Sequence, residues 1–165
     1  MRLRRRRALA GSFKSADMSE VHKDSGSDLV ALVNERTRAV IASHVEMALS
    51  QQARRVGLLG RTHLDAAHAL YLIPCVTIHT AFMRFPIDVV FVGRDGAAVK
   101  VIHALKPWRA VLSFRAYGVI EFAAGTLRRH DIRIGDRLHL KPESALARPR
   151  SPQMHLSHVT GGTRC

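Results

Sequence analysis

Four side chains able to do chemistry stand inside one apolar stretch, Pro74 to Phe91: Cys75, His79, Arg84 and Asp88. A thiol and an imidazole could serve as nucleophile and base, or as two metal ligands, and Glu121 further along could add a carboxylate. That set would suit a hydrolase or a metal-dependent enzyme, with His103 as a second imidazole from another strand. Polar groups at fixed offsets in a strand-like run must also find partners or cost several kcal/mol, so each has an architectural reading too. For Cys75 that reading is a small buried hydrophobe, and for His79 a core imidazole hydrogen-bonded to backbone.

Spacing weighs these readings. Strand periodicity sets Cys75, Thr77, His79, Ala81 and Met83 on one face and Ile78, Thr80 and Phe82 on the other. Residues four apart on a straight strand lie about 13 Å apart along its axis, too far to share one metal ion unless the chain bends near Pro74. The spacing therefore argues against a Cys75-His79 metal pair, and no metal or cofactor is expected.

Arg84, Asp88 and Glu121 form a second group. Glu121 falls between Val119 and Ala123 on one strand face, where a buried carboxylate needs a cation or several N–H donors. The planar fork of Arg84 is the expected partner, tying two strands together. The alternative is a pocket for a small polar or anionic ligand built from this group beside Trp108 and Arg109. Asp136, between Gly135 and Arg137, reads as a turn residue whose side chain caps backbone N–H groups. Arg54, Arg55 and Arg61 make a basic edge where an acidic partner could dock.

The elements that must position these groups are mostly strands. Leu29–Val33 and Val40–Val45 flank Glu35–Arg38 as a hairpin rich in β-branched residues. Ser50 reads as the N-cap of a short helix through Leu59, with Ala53, Val56 and Leu59 on its apolar face and Gly60 as its stop. Strands follow over 69–73, 78–83 and 87–92, and Arg94-Asp95-Gly96 turns the chain into 98–104. After the break at Pro107-Trp108, strands over 116–123 and 137–140 complete the set. The expected fold is mainly β (β-rich α+β), a small antiparallel barrel or sandwich with one short helix.

Composition bounds the rest. The 165 residues suffice for one domain with its own core. They divide into a disordered basic arm over 1–27, a single β-rich domain over 28–140 and a disordered tail over 141–165 rich in Pro, Ser, Arg and His. With 26 Lys and Arg against 13 Asp and Glu the net charge is +13, which raises polyanion contact as an option, most directly through the Arg-rich N-terminus. Against it, the aromatic residues fall mostly inside apolar runs and offer no stacking platform, and no helix-turn-helix or zinc-finger spacing is present, so specific nucleic-acid binding is not expected. Two cysteines, Cys75 and Cys165, build no disulfide framework and fit a reducing cytoplasm. The basic N-terminus lacks the apolar run of a signal peptide, and no stretch reaches the ~18 apolar residues of a membrane helix, so no membrane association is expected.

From Leu29 to about Leu140 the chain resembles domain-of-unknown-function family 192, an uncharacterised prokaryotic family. The residues that carry the resemblance are Arg54-Arg55-Val56-Gly57-Leu58-Leu59-Gly60-Arg61, Pro74-Cys75-Val76-Thr77-Ile78-His79-Thr80, Phe82-Met83, Pro86 to Phe91, Asp95-Gly96, Pro107-Trp108-Arg109, Val119-Ile120-Glu121, Ala124-Gly125 and Gly135-Asp136. Ala69 and Phe122-Ala123 depart mildly from its pattern. The resemblance implies a compact β domain with a short helix and brings no established activity, cofactor or catalytic residue. The reading that follows is a non-enzymatic binding or accessory module that engages a protein partner or a small polar ligand, with the enzyme and the anionic-surface binder as alternatives.

Overall fold

The computed structural model describes residues 30–146, so the basic arm over 1–27 and all of the tail beyond Leu146 lie outside the described residues. Ten strands and two short helices run in the order β1 (Val30–Asn34), β2 (Val40–Ala42), β3 (His44–Ala48), α1 (Gln51–Val56), β4 (His68–Leu72), β5 (Thr77–His79), β6 (Ile87–Val92), β7 (Ala98–Leu105), β8 (Ala110–Leu112), β9 (Gly118–Ala123), α2 (Thr126–Arg129) and β10 (Leu138–Pro142). One turn of 3-10 helix, Glu143–Ala145, follows.

The fold is mainly β, and its sheets do not close into a barrel. A five-stranded sheet in the order β3-β4-β9-β6-β7 forms the centre, a three-stranded sheet β10-β1-β2 packs with one of its faces, and β5 and β8 form a separate ribbon. Every pairing is antiparallel except β3 with β4, which is parallel and joined through α1. The expected hairpin around Glu35–Arg38 is present as β1 and β2.

The central sheet is covered on both faces, which explains why β6 is apolar at every position but Asp88 and is buried at all six. Val90, Val92, Ile120 and Phe122 face Leu32, Ile41 and Leu138 of the small sheet and Leu127 of α2. On the opposite face Val89, Phe91, Val119, Leu70 and Leu72 meet Leu58, Ile78 and Met83. Gly118 is required where β9 passes β4, because a Cβ there would stand 2.7 Å from Tyr71 Cε2 and 3.2 Å from Leu72 O.

Local signals set several element ends and missed others. Ser50 caps α1 by accepting from Ala53 N, but the helix stops at Val56 because Gly57 takes a left-handed φ of 48°. Leu58, not Val56, becomes the buried anchor there. The strand expected over 78–83 ends at His79, where the chain turns through Thr80. Pro74 to Phe91 is not a paired central hairpin: β5 pairs with β8, a strand the sequence pattern missed, while β6 lies between β9 and β7. A second helix, α2, stands between the strands expected over 116–123 and 137–140, where no helix was expected.

Candidate functional site

Strand parity decides where each candidate points. Glu121 pairs with Leu70 of β4 and Val89 of β6, so it shares the face of Val119 that looks toward α1 and β5. Above it lies a cavity of about 70 Å³ whose walls include Arg54, Arg55, Cys75, Thr77, His79 and Met83. At roughly 30 Å³ per water the space admits about two water-sized groups.

The carboxyl of Glu121 forms the floor. Its residue is only 5% exposed, yet it accepts no hydrogen bond from any described residue. Burial pushes its pKa up to about 7, and the positive charge of Arg61 opposes that shift without cancelling it. Arg61 itself is held 2.6 Å from Glu46 at the surface.

The wall groups are held by local geometry. Cys75 precedes β5, and its Sγ donates 3.0 Å to Thr77 O, which curls the start of the strand. Burial raises the thiol pKa and the Glu121 charge adds to it, while the hydrogen bond and Arg54 pull the other way. That environment keeps the sulfur a protonated thiol, the opposite of an activated nucleophile. Arg54 anchors the α1 side by donating to Leu49 O and, at 3.1 Å, to Ile73 O. Thr77 and His79 alternate on β5 with exposed side chains at the mouth.

Cys75, His79 and Glu121 are thus brought to one cavity, but the second expected group is split. Asp88 pairs with Phe122 and so points to the opposite face of the sheet from Glu121. It is fully buried and accepts from Ala104 N at 2.7 Å and Leu127 N at 2.9 Å. Ala104 sits in a bulge of β7 with φ 47°, so Asp88 pins that bulge and the start of α2. Arg84 is exposed and forms no bridge with Glu121, which corrects the expected Arg-carboxylate tie. Arg84 lies in the turn before β6, outside the strand pairing that holds Glu121.

Trp108 and Arg109 do not line the cavity either. Trp108 is 61% exposed and packs edge-to-face on Phe82 with ring centroids 4.6 Å apart, so an aromatic pair stands on the surface where none was expected. His103 lies exposed on the β7 bulge, away from Cys75. Among the described residues no three of His, Cys, Asp and Glu come together to hold a metal ion.

Asp136 does cap as expected, accepting from Arg133 N at 3.0 Å, and also binds Asn34 at 2.9 Å and the Arg36 guanidinium at 2.6 and 2.9 Å. The hydrogen bond from Arg36, ahead of those from Arg133 and Asn34, holds its pKa near about 2. This is a structural clasp far from the cavity.

The family model described as "Uncharacterized ACR, COG1430" (DUF192) matches residues 32–140. The chain belongs to this family. The DUF192 match spans every strand from β2 to β9 and all the cavity residues. Two crystal structures share the fold: a protein described as a "putative transcription regulator" from Sinorhizobium meliloti 1021, at 23% identity and TM-score 0.58 over 67% of this chain and 91% of that one, and a protein of unknown function from Novosphingobium aromaticivorans DSM 12444, at 22% identity and TM-score 0.59 over 70% and 89%. No curated protein matches the chain. None of the described helices is long and apolar enough to cross a membrane.

The sequence-level reading missed Arg54, Arg55 and Met83 as parts of one cavity with Cys75. The only available signal was the alternation of Cys75, Thr77 and His79, since α1 reaches the cavity through tertiary packing alone.

Proposed function

We propose that this DUF192 domain is a non-enzymatic binding module whose cavity above Glu121 takes a small polar ligand that donates a hydrogen bond to that carboxyl. One observation carries the reading: a nearly fully buried carboxyl faces open space with no donor among the described residues. A bound N–H or O–H donor would give this carboxyl the hydrogen-bond partner it lacks among the described residues, in a setting where burial makes such a bond stronger than in water. The protonated thiol of Cys75 beside it favours recognition over nucleophilic chemistry. A free thiol at the cavity also suits a reducing compartment such as the cytoplasm.

The test titrates the full chain with methylammonium, glycinamide and imidazole, small probes that each carry an N–H donor, and follows backbone amide resonances. We expect at least one to perturb Thr77, His79 and Glu121 together, and Glu121→Gln to abolish the response. If none does so, or if steady turnover is found that Glu121→Gln removes with the fold intact, the reading fails.

A further inference from the structure

We propose that the ribbon of β5 and β8 is a docking surface for an acidic segment of a partner protein, which places an apolar side chain on Phe82 and Trp108 and carboxylates against Arg84, Lys106 and Arg109. Phe82 is 72% exposed and Trp108 61%, and they touch one another. Val76, Leu112 and Phe114, toward the other end of the ribbon, are exposed as well. Exposed large apolar side chains gathered on one element mark interaction sites.

The aromatic pair is held ready. Both residues adopt left-handed backbone, φ 64° and 61°, a conformation that costs bulky residues on the order of 1 kcal/mol or more. The fully buried Thr80 secures them: its Oγ1 donates 2.8 Å to Lys106 O and accepts at 2.9 Å from Arg109 N, and its carbonyl accepts from Trp108 N at 3.0 Å. Two loops are thereby fixed against each other, so little side-chain freedom remains to be lost on binding.

Charge selects the partner. Residues 66–87 and 96–120, which build the ribbon and its flanks, contain no Asp or Glu, but carry exposed Arg84, Lys106, Arg109 and Arg115. Anionic chains are therefore attracted, and aromatic anchors ringed by Arg resemble interface hot spots. A protein segment is favoured over a nucleic acid on three counts. The edge-to-face pair offers no two parallel ring faces for successive bases. Val76 and Leu112 add aliphatic surface that bases do not use. The ribbon has no third strand among the described residues, leaving backbone groups for an extended peptide. None of Phe82, Arg84, Lys106, Trp108 and Arg109 lines the Glu121 cavity, to which β5 gives Thr77, Ile78 and His79, so these five residues can be varied without touching it.

Trp108 is the chain's single tryptophan and reports docking directly. The full chain is titrated with a short synthetic peptide rich in Asp and Glu that carries two Leu, with the same peptide bearing Ser for Leu, and with oligo-dT. The expected result is a blue shift of Trp108 emission with the Leu peptide, weakened by salt, and an affinity for the Ser peptide at least about tenfold lower. Phe82→Ala and the double variant Lys106→Ala/Arg109→Ala should each weaken binding about tenfold by anisotropy, with unchanged thermal midpoints. No shift at millimolar Leu peptide, equal affinity for the Ser peptide, or tighter binding of oligo-dT would each overturn the proposal.

Discussion

The burial of Glu121 makes the domain's stability depend on pH between the ordinary 4.5 and about 7. The unfolded chain ionises this group near the ordinary 4.5, the folded chain near about 7. Below pH 4.5 both states hold the proton. Between 4.5 and about 7 the unfolded state has released it while the folded state has not, so each rise in pH favours unfolding; above about 7 both are ionised and the effect is constant. At about 1.4 kcal/mol per pH unit, the interval corresponds to about 3 kcal/mol lost as pH rises across it. Glu121→Gln removes the titration and keeps the shape. Urea denaturation of both proteins from pH 4 to 8 should give a stability difference that moves by about 3 kcal/mol in favour of the glutamine variant, nearly all of it within the stated window. A difference that stays flat, or one that moves the other way, would refute the assignment of Glu121 as a buried, unpartnered carboxyl. A direct check is the carboxyl ¹³C titration, whose midpoint should lie near about 7, and should fall when a ligand donates to the carboxylate.

Asp136 works in a separate window and with the opposite sign: its stabilisation is present above the ordinary 3.8 and is lost as pH falls toward about 2. Asp136→Asn should cost about 2–3 kcal/mol in urea denaturation at neutral pH, and the difference from the parent protein should shrink under acid. Gly118→Ala forces a Cβ against Tyr71 and the backbone of Leu72, and should lower stability by about 1–3 kcal/mol by the same measurement. In a Cys165→Ser background at pH 8, Cys75 should react slowly with a disulfide reagent; Glu121→Gln should speed the reaction, because the neighbouring negative charge that raises the thiol pKa is gone. An unchanged rate would separate the two groups.

Much of the frame was legible in local sequence because local physics sets it. The β-branched runs of β1, β2 and β6, the Ser50 cap and the Asp95-Gly96 turn each need only a few neighbouring residues to be recognised. The three residues of β8 carry too short a pattern to be seen, and they exist as a strand because β5 lies beside them. α1 ended early at Gly57, since a glycine that can take positive φ is no more visible as a stop than Gly60 three residues on.

The sequence by itself determined the family, the β-rich class and the presence of Cys75, His79, Asp88 and Glu121 as polar groups among apolar ones. Tertiary structure alone decided what each became. A strand's side chains alternate between faces, so the register of β6 against β9 sent Asp88 to pin the β7 bulge and left Glu121 beneath the cavity. Arg84, in the turn before β6, stays exposed and brings no guanidinium to Glu121. Whether a carboxylate is paired or waits unpaired depends on groups far away in the chain, and no local spacing encodes that.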